Sequence, residues 1–221
     1  MSDIDRNAER AINETVAARH PDARVLGEEF SPAMHDRHGL VFVADPLDGT
    51  TNFLHGFPWY AVSIGALIDD ELQAGVVLNV PTGELFSATL GGGARRNGAP
   101  IHVSTVTEPT RSLIGTGFPF KDENRVDEYL RMLPRLMTAT AGLRRPGAAA
   151  LDLADVACGR FEAFWELMLA PWDIAAGVLL VHEAGGIVTD LTGAPCRIGH
   201  TGLVAGNPAM HAWLLDRVSS P

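Results

Sequence analysis

Apolar residues recur at the spacing of one helix face near the N-terminus and at strand spacing further along the chain. Those between Ile4 and Val16 predict an amphipathic helix that ends before Pro21. A short apolar piece at residues 24–26 and a longer apolar run at residues 40–44 then predict two buried strands.

The segment 59–90 has the pattern of an antiparallel meander. Its three strand-like runs are separated by Asp69-Asp70 and by Pro81-Thr82-Gly83, which are turn residues. Residues 91–93 are all glycine and open a loop. This loop lacks the lysine and the following helix of a P-loop, so it does not predict a phosphate site.

The rest of the chain mixes predicted helices with short predicted strands. The helices are 125–138, with a kink or break at Pro134, 148–157, 174–184, and a last helix that Asn207 caps and that runs through Val218. The strands are 112–115, 161–165, 187–189 and 203–205. No repeat or linker is visible, so we expect one α+β or layered α/β domain over residues 1–221.

Composition restricts the class of protein. The chain has 221 residues and is 46% hydrophobic, which allows a buried core, and no apolar run reaches the roughly 18–20 residues of a membrane span. The charged N-terminus has no apolar signal core, so we expect a cytoplasmic protein without a membrane partner. Cys158 and Cys196 have no metal-type spacing and are expected to be reduced thiols.

The charge balance is acidic, with 17 Lys and Arg against 27 Asp and Glu and a formal net charge of −10. The basic residues are scattered, which argues against a nucleic-acid partner held on a broad basic face. An acidic protein that acts on phosphates needs metal cations to reverse the local charge.

The stretch ADPLDGTTNF places Asp45 and Asp48 directly after the predicted strand 40–44. Pro46 fixes the backbone there. The two carboxylates and the carbonyl oxygen of Leu47 form a hard oxygen donor set that suits Mg²⁺. The alternative is a surface turn, because Asp, Pro and Gly are all common in turns.

Gly49 follows at once and permits backbone angles that other residues avoid. The N–H groups of Gly49, Thr50 and Thr51 are therefore predicted to form an anion-binding nest or to start a helix. A metal site and such a nest side by side would bind a phosphate monoester.

Two further acidic positions have the same ambiguity. Glu28 follows a glycine after the predicted strand 24–26, and its alternative role is a solvated charge. Asp173 begins an otherwise apolar predicted helix, and its alternative role is a helix N-cap.

Three motifs together resemble the inositol monophosphatase family of Mg²⁺-dependent, lithium-sensitive phosphatases. They are GEE at residues 27–29, DPLDGTTNF at 45–53 and WDIAAGVLLVHEAGG at 172–186. The resemblance covers nearly the whole chain. It implies the layered αβαβα sandwich of the inositol monophosphatase and fructose-1,6-bisphosphatase type, and a homodimer.

The resemblance also implies a set of metal ligands. Glu28, Asp45 and the Leu47 carbonyl would hold one Mg²⁺ ion, and Asp45, Asp48 and Asp173 a second. A third, weaker ion would lie near Glu28, so two or three ions are expected.

Catalytic and substrate residues follow from the same resemblance. Glu28 and Thr50 are implied in catalysis, and Thr50 would orient the attacking water. Asp5 aligns with an early Thr-x-x-Asp motif of the family and is also an implied catalytic residue. Its alternative role is that of an ordinary acidic residue at the start of a helix. The implied substrate-binding residues are Asp48, Gly49, Thr50, Gly147, Ala148, Ala149, Glu166 and Asp173. Two roles remain open for Arg144: a local ion pair or a position in the site. His55 and His182 are expected to be structural, because a metal-activated water needs no histidine base.

The implied activity is Mg²⁺-dependent hydrolysis of a small phosphate monoester, such as inositol 1-phosphate or a similar polyol phosphate. Glu166 favours a hydroxyl-rich substrate, since a second phosphate would require Lys or Arg. Histidinol phosphate, fructose 1,6-bisphosphate and 3′-phosphoadenosine 5′-phosphate remain alternatives. A non-catalytic binding or regulatory protein with the same fold is the alternative from another class.

Two departures from the family pattern are visible. Members of the family usually carry a long helix before the segment that begins here at Ser2, so we expect a version of the fold without this first helix. The spacing from Glu28 to Asp45 is short, which predicts a trimmed loop around residues 34–38 that would become ordered when metal binds.

Overall fold

The computed structural model of the protein describes residues 3–30, 37–120 and 123–219. Most of the predicted trimmed loop, residues 34–36, lies outside the described residues, as does Ser2. None of the described helices combines the length and the apolar character that crossing a membrane requires.

The first sheet has seven strands arranged in their order along the chain. Its first two strands are parallel, and each later pair is antiparallel, as the meander pattern predicts. The strands are β1 (Arg24–Gly27), β2 (Leu40–Asp48), β3 (Ala61–Ile68), β4 (Glu71–Asn79), β5 (Glu84–Thr89), β6 (Gly93–Arg96) and β7 (Ala99–Pro100).

The second sheet has five strands and a mixed topology. The strands are β8 (Leu113–Thr116), β9 (Gly142–Arg144), β10 (Ala163–Leu169), β11 (Ile187–Asp190) and β12 (Thr201–Gly206). Their spatial order is β11-β12-β10-β8-β9, with β8 parallel to both β9 and β10.

Six α-helices within the described ranges cover and separate the two sheets. They are α1 (Asp3–Arg19), α2 (Thr50–Leu54), α3 (Val126–Met137), α4 (Ala149–Ala157), α5 (Pro171–Glu183) and α6 (Pro208–Val218). Helix α1 packs on β1 and β2, α4 and α5 contact strands of both sheets, and α3 and α6 pack on the second sheet. Every residue of α4 is buried, which explains why this helix is apolar nearly all round. The expected layered αβαβα sandwich is confirmed.

Helix α5 lies unusually close to the first sheet because small residues face each other there. A Cβ added at Gly65 would come within 2.8 Å of the Ala175 Cβ, and one at Gly75 within 2.9 Å of the Ala176 Cα. We call Gly65, Gly75, Ala175 and Ala176 the glycine seam. The seam holds the N-terminal half of α5 against β3 and β4.

Several predicted boundaries are wrong. Strand β2 does not end at Ala44 but continues to Asp48 through a bulge between Asp45 and Asp48. The predicted strand 161–165 is displaced to Ala163–Leu169, so Glu166 lies within a strand. The helix around Pro134 is continuous. Strands β6, β7 and β9 were not predicted, because their sequences GARR, AP and GLR contain no apolar run.

Candidate functional site

A cavity of about 540 Å³ opens where β2, α2, α4, β10 and the first turn of α5 meet. It brings together every predicted metal ligand and every predicted substrate residue. These lining residues are Glu28, Asp45, Leu47, Asp48, Gly49, Thr50, Gly147, Ala148, Ala149, Glu166 and Asp173.

The bulged end of β2 supplies two of the carboxylates. Asp45 is only 2% exposed, and its Oδ1 accepts the Leu47 N–H at 2.9 Å. Asp48 is 8% exposed, and its Oδ2 accepts the Ala150 N–H in the first turn of α4 at 2.8 Å. Each carboxylate is therefore oriented by a backbone donor, and Asp48 ties the first sheet to the central helices.

Asp173 is held in a similar way at the start of α5. Its Oδ2 accepts the N–H of Ala170, the residue before the helix, at 2.7 Å. Asp173 therefore caps the helix and lines the cavity at the same time, because one conformation of its side chain serves both roles.

Gly49 links β2 to the short helix α2 and has φ of +87°. A Cβ at this position would lie 3.0 Å from the Trp59 carbonyl oxygen, so the conformation and the space both require glycine. The helix begins at Thr50, which agrees with the predicted helix start. The Thr50 hydroxyl donates to the Leu47 carbonyl oxygen at 3.0 Å.

The carboxylates repel one another in a buried environment. Burial raises the pKa of Asp45 well above its ordinary value, and the negative charges of Asp48, Asp173 and Glu28 raise it further. Burial, followed by the charge of Asp173, raises the pKa of Asp48 to about 8, although the Ala150 N–H opposes the shift. The folded chain therefore concentrates more negative charge than it can stabilise alone.

The raised pKa of Asp48 predicts an unusual pH dependence of stability for the protein when a chelator has removed metal ions. The folded-state pKa of Asp48 lies above its ordinary value of 3.8, so the folded state binds more protons than the unfolded state between about pH 4 and pH 8. The free energy of unfolding should therefore fall as the pH rises through this window. Melting temperatures measured in EDTA at several pH values would test this, and a flat profile would contradict it.

The donor set fits a hard divalent cation. Six carboxyl groups line the cavity, four of which belong to the expected metal ligands, and Leu47 lies beside them. Arg145 is the sole basic side chain among the described lining residues. Within the described ranges, no three acidic, His or Cys side chains are already arranged to enclose an ion. The fit to Mg²⁺ thus rests on donor chemistry and on the repulsion that a cation would relieve.

Asp5 is placed differently from the other predicted site residues. It is 3% exposed in the first turn of α1 and is not among the residues that line the cavity. Its charge acts on Glu29, whose pKa is raised first by burial and then by Asp5. The catalytic role of Asp5 stays a prediction.

The sequence analysis did not identify Asp152 as a site residue. This α4 carboxyl is 1% exposed, lines the cavity, and its Oδ1 has no hydrogen-bond partner in the described structure. Burial raises its pKa, and the charges of Glu166 and Asp48 add to the shift. The signal available in the sequence was one of two aspartates, Asp152 and Asp155, within an otherwise apolar helical pattern.

The sequence analysis also assigned no role of its own to Asn52. Its side-chain amide donates to the Trp59 carbonyl oxygen at 2.7 Å and to the Pro146 carbonyl oxygen at 2.9 Å. These bonds fix α2 against the segment that precedes α4. Asn52 therefore determines how the two walls of the cavity meet.

The cavity rim carries an arginine stacked on aromatic rings. The Arg145 guanidinium lies 5.2 Å from the ring centre of Phe118 and 4.8 Å from that of Phe120. Arg144, which the sequence left undecided, is exposed, donates to the Leu143 carbonyl oxygen and does not line the cavity. His55 and His182, expected to be structural, are likewise absent from the described lining.

Known proteins resemble the chain over its whole length. The putative Nus factor SuhB of Neisseria meningitidis serogroup B is 44% identical over 220 residues, which cover all of this chain and 84% of that protein. A crystal structure of the extragenic suppressor protein suhB from Bartonella henselae has a TM-score of 0.92 and 39% identity, and covers all of this chain and 84% of that one.

A third similar structure is of a Staphylococcus aureus enzyme named inositol monophosphatase II, solved with bound inositol monophosphate. It has a TM-score of 0.87 and 31% identity, and covers 97% of this chain and 83% of that one. The sequence itself matches the inositol monophosphatase family over residues 1–220. The chain therefore belongs to the inositol monophosphatase family.

Proposed function

We propose that the protein is a Mg²⁺-dependent phosphatase that hydrolyses inositol 1-phosphate or a similar polyol phosphate. The observation that carries this proposal is the convergence of Glu28, Asp45, Asp48 and Asp173 on one cavity in a chain of this family. Bringing these carboxylates together is unfavourable because they repel one another, and cations that bind between them would remove this repulsion.

The metal ligands divide into two sets in this proposal. Glu28, Asp45 and the Leu47 carbonyl oxygen hold one ion, and Asp45, Asp48 and Asp173 hold a second. When bound, the ions supply a nucleophilic water at neutral pH and neutralise charge on the phosphate oxygens. A third ion near Glu28 remains part of the proposal.

The residues after Asp48 bind and orient the reacting groups. In this proposal the backbone N–H groups of Gly49 and Thr50 bind the phosphate at the start of α2, where such donors have no acceptor within the helix. The Thr50 hydroxyl, which contacts the Leu47 carbonyl oxygen, orients the attacking water. A catalytic role for Asp5 would require it to act from outside the described lining.

The far wall of the cavity selects the substrate. Glu166 and Asp152 present carboxyl oxygens that suit the hydroxyl groups of a polyol, and Gly147, Ala148 and Ala149 leave room for its ring. The inositol monophosphate bound to the staphylococcal relative supports this choice. Arg145 at the rim is the reason to keep fructose 1,6-bisphosphate as an alternative.

Phosphate release from a substrate panel tests the proposal. The panel is inositol 1-phosphate, histidinol phosphate, fructose 1,6-bisphosphate and 3′-phosphoadenosine 5′-phosphate, each with and without Mg²⁺. Turnover of inositol 1-phosphate that requires Mg²⁺ and disappears in Asp45→Asn is expected. No turnover of any substrate by folded protein would refute the phosphatase assignment.

The names of the relatives favour a second candidate of another class. Proteins named Nus factor SuhB suggest association with the transcription machinery, so we propose a binding role that does not need turnover. A binding titration of the purified protein against RNA polymerase from the same organism would test it. Equal binding by the protein and by Asp45→Asn is expected, and no binding at micromolar concentration would exclude this role.

The remaining proposals concern the location, the oligomeric state and the domain organisation of the enzyme. We propose a cytoplasmic homodimer in which residues 1–221 form one domain. Sedimentation analysis of the purified protein would separate a dimer from a monomer.

A further inference from the structure

A buried carboxylate outside the cavity holds the GEE turn in place. Glu9 lies on α1, is 0% exposed, and does not line the cavity. Its Oε2 accepts the Glu29 N–H at 2.7 Å, and its Oε1 accepts the Phe30 N–H. Both oxygens of one side chain therefore bind consecutive backbone donors of the turn that follows β1.

The glycine that precedes this turn belongs to the same arrangement. A Cβ built at Gly27 would overlap all three atoms of the Glu9 carboxylate group. The Glu9 carboxylate thus packs directly on the backbone at the end of β1, in space that a side chain at position 27 would occupy. Glycine at the first position of GEE therefore leaves the space that the Glu9 carboxylate occupies, although its backbone angles would suit other residues.

Glu28 stands between the two points that Glu9 holds. Gly27 contacts the Glu9 carboxylate on one side, and the Glu29 N–H donates to it on the other. The peptide groups on both sides of Glu28 are therefore fixed, and the Glu28 side chain lines the cavity.

From this geometry we propose that Glu9 is a positioning residue for metal binding. It fixes the backbone that directs the Glu28 carboxylate toward Asp45 and Asp48, and it does so without touching substrate or metal. The proposal rests on the proposed Mg²⁺-dependent function. It assigns α1 a role in the site, since α1 carries Glu9 across the face of β2 to the end of β1.

The alternative is that Glu9 only stabilises the fold. A buried carboxylate that accepts two N–H bonds contributes to stability wherever it stands, so loss of stability alone does not distinguish the two roles. Metal affinity does distinguish them. Groups that orient metal ligands typically change metal affinity by about 10–100-fold when they are replaced.

The test is Glu9→Gln, compared with Glu14→Gln as the matched control. Gln has nearly the same shape, but it keeps one acceptor and turns an NH₂ group toward the second N–H. Glu14 lies on the same helix and is exposed, so its replacement makes the same change of charge away from the turn. Binding is measured with Mg²⁺ by calorimetry and with Mn²⁺ by electron paramagnetic resonance, without substrate.

We expect Glu9→Gln to weaken Mg²⁺ and Mn²⁺ binding by about 10–100-fold, while kcat at saturating Mg²⁺ changes much less. Glu14→Gln should bind both ions as the unmodified protein does. Equal affinity in the two variants would overturn the proposal. Failure of the unmodified protein to bind either ion would instead refute the proposed metal-dependent function.

Gly27→Ala tests the same contact from the other side if Glu9→Gln does not fold. It retains Glu9 and Glu28 but displaces the carboxylate that packs on residue 27, so the same loss of metal affinity is expected. Amide exchange in the unmodified, metal-free protein is a further test. The Glu29 and Phe30 amides should be protected, and exchange at the rate of an open chain would overturn the proposal.

Discussion

Replacing Asp48 with asparagine is expected to abolish turnover and to stabilise the metal-free protein. Asn retains a carbonyl oxygen for the Ala150 N–H, so the link between β2 and α4 survives. The buried charge disappears, and with it both the desolvation and the repulsion from Asp173 that together raise the pKa of Asp48 to about 8. Activity and stability should therefore change in opposite directions.

The expected loss in kcat/KM is at least about a thousandfold, which corresponds to about 4 kcal/mol of transition-state stabilisation. In EDTA at pH 8 we expect a gain of about 0.5–2 kcal/mol, the usual range for relief of a strained site. That gain corresponds to a rise in melting temperature of roughly 1–8 °C for a protein of this size. The decline of stability between pH 4 and pH 8 should also become shallower.

Asp22→Asn is the matched control, because Asp22 is exposed and does not line the cavity. It should leave both kcat/KM and the melting temperature unchanged. If Asp48→Asn lowers the melting temperature of the metal-free protein, the account of mutual repulsion is wrong, whatever happens to turnover.

The second large effect is expected from Gly65→Val in the glycine seam. Even a single added carbon at this position would lie 2.8 Å from the Ala175 Cβ and 3.2 Å from the Ala176 N. Neither the helix backbone nor the strand can move away freely, so α5 would have to shift as a body. Overpacking of this kind costs about 1–3 kcal/mol or more, a loss of roughly 2–12 °C in melting temperature.

The shift should also reduce activity, because Asp173 lies in the first turn of α5. We expect weaker Mg²⁺ binding in whatever fraction of Gly65→Val folds. Gly199→Val is the control, since a Cβ at Gly199 meets no atom within 4 Å. A Gly65→Val protein with unchanged stability and unchanged metal affinity would show that the seam tolerates added volume.

The layered fold was predictable because its elements have strong local patterns. The meander from β3 to β5 alternates and is punctuated by turn residues, and α5 is an apolar run that begins with proline and aspartate. The resemblance to the family supplied the order of the layers. Strands β7 and β9, of two and three residues, were missed because neither contains an apolar run.

Cavity residues were predictable only where an acidic residue also stands in a motif of the family. Asp45, Asp48 and Asp173 stand in recognisable signatures, and all three line the cavity. Glu9 and Asp152 were missed for the opposite reason: a lone acid on a helix is normally solvated, and only tertiary packing buries these two. The bulge that carries β2 on to Asp48 was hidden by Pro46, which suggested that the strand had ended.

The link between Asp48 and Ala150 has a consequence for how the protein assembles. The cavity takes its walls from the first sheet, from the central helices and from β10 of the second sheet, so none of these parts alone presents the full set of carboxylates. A cation that needs the full set binds only chains in which the layers have already docked. Such binding stabilises the docked state by about 2.7 kcal/mol at a free concentration of one hundred times the Kd. Mg²⁺ would then act as a folding ligand, and resistance of the protein to proteolysis would follow the Mg²⁺ concentration even in a chain that hydrolyses nothing.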